Sequence, residues 1–183
     1  GRVPATYEAC STRRFLHGRT ETIRACSLES TAFAGSMAAD SLPPARQAYA
    51  MLRGASEQHR RNAAECSRGM GVDRHLLGLK LCLKPGEEIP ALFTDKAFAM
   101  SSRWELSTSH LPSDHFESWG FGEVVREGLG CGYSCNADET IFFVSCRVPA
   151  SGVQRAAAFA QAVQQAMVDM AKFCEAASAT SKL

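Results

Sequence analysis

The sequence predicts a mixed α/β fold in which helices cover a sheet. Three observations carry that expectation. Residues 104–109 alternate along the chain like a strand. Residues 128–135 and 140–148 read as two more strands, joined by the polar hairpin loop Asn136-Ala137-Asp138-Glu139. Residues 153–177 place Ala156, Ala160, Val163, Met167, Met170, Cys174 and Ala177 at intervals of four and three, which makes one helix face.

The remaining elements follow in chain order. Residues 7–15 mix Thr, Cys and Phe and read as a strand, followed by a loop at His17-Gly18-Arg19. Residues 27–39 are Ala-rich and helical, with Ser27 as N-cap. Pro43-Pro44 opens a second helix that runs to about Ser67, because proline is tolerated in a first turn. A third helix starts near Val72 and runs to Leu83, stopped by Pro85-Gly86. The run Ile141-Phe142-Phe143-Val144 is apolar on both faces, so its strand is expected at the centre of the sheet. The long last helix is expected to pack on that sheet.

Composition narrows the function classes. The 183 residues suffice for one domain or a large piece of a bigger protein. Hydrophobic residues at 45% and charged residues at 21% are close to the globular average, so a core can form. Lys and Arg number 20 against 19 Asp and Glu, which lacks the basic excess of a nucleic-acid scaffold. No apolar run approaches the roughly 18–20 residues that cross a bilayer, so no transmembrane segment is expected. The chain starts at Gly1 without Met or an apolar leader, and is expected to be a fragment. The eight cysteines form no CxxC pair. Cys131 and Cys135 near His110 and His115 fit no zinc template, so buried reduced thiols and no metal are expected.

The last three residues, Ser181-Lys182-Leu183, form the tripeptide read by the peroxisomal import receptor. Residues 176–180 read as a flexible tether for it. Peroxisomal localisation is therefore expected, with a mitochondrial form left open.

Familiar catalytic signatures are missing: there is no GxSxG elbow, Walker A loop or HExxH. Gly120, Gly122, Gly128, Gly130 and Gly132 do not have dinucleotide-loop spacing and read as turn and close-packing positions. His110 and Asp114 have HxxxD spacing, but Pro112 between them suits a strand exit.

Three separated blocks do carry a specific pattern. The first is Tyr7-Glu8-Ala9-Cys10-Ser11-Thr12-Arg13-Arg14-Phe15 with Gly18-Arg19-Thr20-Glu21-Thr22-Ile23-Arg24. The second is Asp73-Arg74-His75-Leu76-Leu77-Gly78-Leu79, and the third is Ser107-Thr108-Ser109-His110 with Phe121-Gly122 and Gly128-Leu129-Gly130. In order and interval they resemble the carnitine/choline acyltransferase family over nearly the whole chain, as its C-terminal half.

That resemblance implies a coenzyme-A-dependent acyltransferase fold. Residues 1–178 would form the C-terminal domain of a two-domain enzyme, and residues 179–183 an exposed tail. The substrates would be carnitine and acyl-coenzyme A, with coenzyme A a substrate and no cofactor. Arg74 suits the carnitine carboxylate because a planar guanidinium holds a carboxylate bidentately; the alternative is an ion pair with Asp73 or Glu123. By resemblance Tyr7 and Thr20 donate hydroxyls to the same carboxylate, Ser107 lines the carnitine pocket, and Ser109 donates to the oxyanion. Phe121 would face the trimethylammonium, or else be a core residue. Arg60 and His110 would meet coenzyme A, although an exposed helical Arg looks the same and the family has Gln where His110 stands.

Trp119 falls where short-chain members close the acyl pocket, so acetyl transfer is expected. Gly120 beside it leaves medium chains as the alternative. Carnitine is preferred to choline as acceptor because an unpaired buried cation at Arg74 is costly without a carboxylate. The family's general-base His matches none of His17, His59, His75, His110 or His115. This chain alone is therefore expected to be inactive, and a non-catalytic protein remains the second reading.

Overall fold

The computed structural model describes residues 2–113, 115–148 and 155–180. Its elements are β1 (Thr6–Ser11), β2 (Thr20–Ile23), α1 (Leu28–Met37), α2 (Ala45–Ser67), α3 (Val72–Leu81), α4 (Ala91–Thr94), α5 (Lys96–Ser101), β3 (Leu106–His110), β4 (Leu129–Cys135), β5 (Thr140–Ser145) and α6 (Arg155–Thr180). The fold is α/β with a five-stranded mixed sheet, as the sequence predicts. The chain divides into two compact units, Gly1–Arg24 with Asn62–Arg147 and Ala25–Arg61 with Val148–Leu183.

The first unit holds the sheet, in the order β2-β1-β3-β4-β5. β1 pairs with β3, and β3 with β4, in parallel, while β1–β2 and β4–β5 are antiparallel. The first strand ends at Ser11 rather than Phe15 because the chain turns there. Phe15 donates to the Thr12 carbonyl at 3.0 Å and Gly18 to the Phe15 carbonyl at 2.8 Å, with His17 at φ 60°. The third helix likewise stops at Leu81, two residues before its expected end. The stretch before β3 folds into α4 and α5, for which the sequence pattern gives no element. Asp95 caps α5 by accepting from the Ala97 N–H at 2.6 Å.

β5 lies at the edge of the sheet, not at its centre. The short hairpin after β4 fixes it beside that strand. Its apolar run serves two contacts instead of two buried faces. Phe142 stacks on Tyr133 at 5.9 Å, and Phe143 leaves on the opposite face.

Cys10, Ile23 and Cys66, with Ala63 packed against them, form the buried cluster between the sheet and the end of α2. The Cys10 thiol donates to the Ala63 carbonyl at 3.5 Å and the Cys66 thiol to the Thr22 carbonyl at 3.3 Å. Burial pushes the Cys66 thiol up to about 11 and raises Cys10 as well. Both act as small hydrophobes with weak donors, and all eight cysteines are free.

In the second unit Ser27 caps α1 through a reciprocal pair: its Oγ accepts from the Ser30 N–H at 3.1 Å, and Ser30 Oγ accepts from the Ser27 N–H at 2.9 Å. α6 turns Ala162, Ala166, Met170 and Phe173 toward Phe33 and Met37 of α1 across a groove of about 590 Å³. This face is rotated from the stripe read in the sequence, leaving Met167 45% exposed. Alanines at many positions leave the rotation undetermined, and the bulky Met170 and Phe173 decide it. Residues 176–180, read as a tether, continue α6. Ser181, Lys182 and Leu183 lie outside the described residues. No described helix is long and apolar enough to cross a membrane.

Candidate active site

Strand alternation builds the site. In the parallel ladders Tyr7 stands opposite Ser107, and Ser107 opposite Gly130. Ser109, two residues along β3, faces the same way and stands opposite Gly132. On β2, Thr20 pairs with Ser11, two alternations from Tyr7, and its Oγ1 lies 3.3 Å from the Tyr7 hydroxyl. One face of the sheet thus carries Tyr7, Thr20, Ser107 and Ser109. Ser107 is buried and Ser109 half-buried; the Ser109 hydroxyl has no partner among the described residues.

Arg74 joins this group from the first turn of α3. Its Nε donates to the Thr20 carbonyl at 3.0 Å, which ties the guanidinium to the start of β2. Neither alternative ion pair forms. Asp73 is held bidentately by Arg24 at 2.7 and 3.0 Å, and Glu123 by Arg147 at 3.1 Å. Arg24 also donates to the Ser101 carbonyl at 2.9 Å and lies 4.9 Å over the Trp104 ring. Trp104 in turn packs 5.7 Å from Tyr7. Arg74 is exposed in this chain, not the buried cation expected from the preference for carnitine over choline.

Glu21 holds this corner together, and the sequence reading missed it. Only 2% exposed, it accepts from the Thr22 N–H at 2.6 Å and from the Arg74 N–H at 3.2 and 3.3 Å. Its carboxylate therefore caps α3, whose N-cap residue Gly71 has no side chain to do so. A Cβ at Gly71 would fall 2.3 Å from Glu21 Cγ, so the glycine makes room for the cap. No periodicity marks this residue, since Thr20, Glu21 and Thr22 are all polar; the glycine before a helix start is the one available signal. Glu21→Gln turns an amide N–H toward a backbone N–H. Such a loss costs about 1–3 kcal/mol, a fall of roughly 2–12 °C in melting temperature for a chain of this size. An unchanged melting curve would contradict the capping role.

The segment Trp119 to Gly122 lies across the same sheet face. A Cβ at Gly132 would fall 2.9 Å from the Trp119 carbonyl oxygen, and one at Gly130 would fall 2.9 Å from that of Phe121. Bare glycines on β4 are what allow the crossing. Trp119 and Phe121 stack at 5.6 Å, and Trp119 Nε1 donates to the Tyr133 carbonyl at 3.4 Å.

Two residues, His110 and Arg60, are expected to meet coenzyme A. His110 leaves β3 on the opposite face, stacked on Tyr133 at 5.1 Å. On that face the Tyr133 hydroxyl donates to Glu8 Oε1 at 2.7 Å and Thr108 Oγ1 to Glu8 Oε2 at 3.2 Å, tying β1, β3 and β4 together. Burial and the Glu8 bond keep the Tyr133 phenol protonated well above its ordinary range. Arg60 is exposed on the part of α2 that belongs to the second unit.

A cluster of hydroxyls and one guanidinium beside a half-buried serine suits a small carboxylate substrate and a developing oxyanion. Comparison with known proteins agrees with the class. Residues 1–165 match the choline/carnitine O-acyltransferase family, and the chain belongs to that family. It is 41% identical over 132 residues, 72% of its length, to mitochondrial carnitine O-acetyltransferase of Saccharomyces cerevisiae, of which that covers 20%. It is 37% identical over 171 residues to carnitine O-acetyltransferase of Mus musculus, covering 93% of this chain and 27% of that protein. Mitochondrial carnitine O-palmitoyltransferase 2 of Homo sapiens is 35% identical over 172 residues, covering 93% and 26%. The chain thus spans roughly a quarter of the length of these relatives, which include both short- and long-chain enzymes by name.

Proposed function

We propose that this chain is the carnitine-holding part of a carnitine O-acyltransferase that moves a short acyl group, acetyl foremost, between coenzyme A and carnitine. The observation that carries the reading is the convergence of Arg74, Tyr7 and Thr20 on one corner of the sheet. Arg74 takes the carnitine carboxylate, and the two hydroxyls complete its shell. Choline has no carboxylate to offer this corner. The Phe121 ring, on the same side, supplies a π-face for the trimethylammonium.

The chemistry is direct transfer in a ternary complex. The carnitine hydroxyl gives its proton to a base and attacks the thioester carbonyl. The tetrahedral oxyanion accepts a hydrogen bond from Ser109; collapse then breaks the C–S bond, and the departing thiolate takes up the proton. The base is a histidine of the longer protein, as in the family resemblance, and the reaction needs no cofactor. Arg60, without an ion pair among the described residues, is offered to the coenzyme A phosphates. His110 faces away from Ser109, so it would meet the coenzyme from the other side of β3. Trp119, tied to the Tyr133 carbonyl, supports the short-chain preference. Ser181-Lys182-Leu183 would deliver the protein to peroxisomes through the import receptor.

The test is thiol release by the full-length protein from acetyl-, octanoyl- and palmitoyl-coenzyme A with carnitine. Turnover that falls steeply with chain length is expected. Turnover with palmitoyl equal to acetyl would refute the short-chain part, and none with any donor would refute the whole.

A further inference from the structure

Three groups meet at Arg24, just beyond the end of β2. Every nitrogen of its guanidinium is used. Nε and Nη2 donate to the two carboxylate oxygens of Asp73 at 3.0 and 2.7 Å, and Nη1 donates to the Ser101 carbonyl at 2.9 Å. Its Cζ lies 4.9 Å from the centre of the Trp104 ring, within cation–π range. The Asp73 side chain is 10% exposed, so the pair is sheltered on the carboxylate side.

The ties lead to the two sides of the carnitine corner. Asp73 immediately precedes Arg74 in the first turn of α3, so holding its carboxylate fixes the backbone from which the Arg74 side chain extends. Trp104 packs 5.7 Å from the Tyr7 ring, whose hydroxyl stands 3.3 Å from Thr20 Oγ1. Packing leaves a gap on this side of α3. A cavity of about 560 Å³, walled by Leu76, Leu77, Phe93 and Phe98, lies between α3 and the α4–α5 stretch. Empty space supplies no contacts to resist a shift of the helix. Arg24 spans the edge of that gap, from Asp73 on α3 to Ser101 on α5.

We infer that Arg24 is a positioning residue for carnitine: one planar guanidinium sets the Arg74 backbone through Asp73 and the Tyr7 ring through Trp104. The inference rests on the proposed acyl transfer. A carboxylate is held well only where its guanidinium and hydroxyl partners are fixed by the residues behind them. Loosening either side weakens the binding of carnitine. Ser109 on β3 touches neither tie, so the reacting end is spared. Lysine keeps the charge but cannot fork onto Asp73, reach Ser101 and stack on Trp104 at once.

The experiment measures kcat, KM for carnitine and KM for acetyl-coenzyme A of the full-length protein, with its melting temperature. Wild type is compared with Arg24→Lys, Asp73→Asn and Trp104→Leu. KM for carnitine is expected to rise roughly tenfold in Arg24→Lys and by less in the other two, the scale of coupling within one network. The other two constants should hold. Asp73→Asn keeps the shape of the side chain, so it carries the test should Arg24→Lys fail to fold. In a protein that already carries Arg74→Ala and Tyr7→Phe, Arg24→Lys should leave kcat/KM for carnitine nearly unmoved, because the groups it positions are gone. An unchanged carnitine KM in Arg24→Lys and Asp73→Asn, a loss confined to kcat and melting temperature, or an undiminished effect in the Arg74→Ala, Tyr7→Phe protein overturns the inference and leaves acyl transfer standing. Absence of carnitine-dependent thiol release by the wild type overturns the proposed function, and the inference with it.

Discussion

Replacing Arg74 with alanine in the full-length protein is expected to raise KM for carnitine by two to three orders of magnitude while kcat changes little. The Arg74 guanidinium reaches the Tyr7–Thr20 corner without an ion pair among the described residues, and its Nε is already oriented by the Thr20 carbonyl. A bidentate, charge-assisted pair is lost, and the carboxylate loses its counter-charge. Truncating one partner of a hydrogen-bonded charge pair costs about 2–5 kcal/mol where the complex buries it, as bound carnitine is expected to do here. The carboxylate is remote from the reacting carbonyl and is held equally in ground and transition states. The loss should therefore appear as uniform binding, in KM. Arg74→Lys keeps the charge and not the planar fork, so it should fall between the two. Because the Arg74 side chain is exposed and Glu21 caps α3 through the backbone N–H, the melting temperature should barely move. A steady-state carnitine titration of the three proteins checks all of this.

Ser109→Ala is expected to have the opposite kinetic signature. One oxyanion donor is worth about 10²–10³ in rate, and the charge it meets develops only in the transition state. Its loss should lower kcat and kcat/KM together, with KM for carnitine and acetyl-coenzyme A nearly unchanged. The serine is half-buried and its hydroxyl has no partner among the described residues, so truncation to alanine strands no buried group. Stability should therefore stay within the ordinary surface range. Ser109→Thr keeps a hydroxyl on a residue that strands accept well, and partial rescue is expected. Equal losses in the two variants, or a change confined to KM, would remove Ser109 from the oxyanion.

The two signatures separate because the sheet separates the groups. Arg74 and Thr20 come from α3 and β2, beyond β1, whereas Ser109 lies on β3. Much of this was legible in the sequence. The motif blocks name Tyr7, Thr20, Arg74, Ser107 and Ser109, and strand alternation is enough to turn the strand residues among them to one face. The capping of α1 by Ser27 is similarly local, since a cap and its partner lie three residues apart.

What was not legible depends on long-range pairing. Glu21 is a buried carboxylate whose partners include the backbone of a helix some fifty residues on, and nothing near it in sequence marks that. The run from Ile141 to Val144 reads as a central strand by composition alone. Its edge position follows from the absence of a further strand beyond β5 among the described residues, which composition does not encode. His110 takes the side opposite Ser109 because it is the next residue along β3. The packing of Phe143 against the bare Gly120 entered no motif, because only the fold brings the two residues together.

The most direct test of the central claim is acceptor choice. With acetyl-coenzyme A saturating, kcat/KM of the full-length protein is measured for carnitine and for choline, in wild type and in Arg74→Ala. A wild-type preference for carnitine of at least about 10²-fold, on the scale of the charge pair at Arg74, and its collapse in the variant are the predicted results. Comparable use of the two acceptors by the wild type, or a preference that survives without Arg74, would contradict the account.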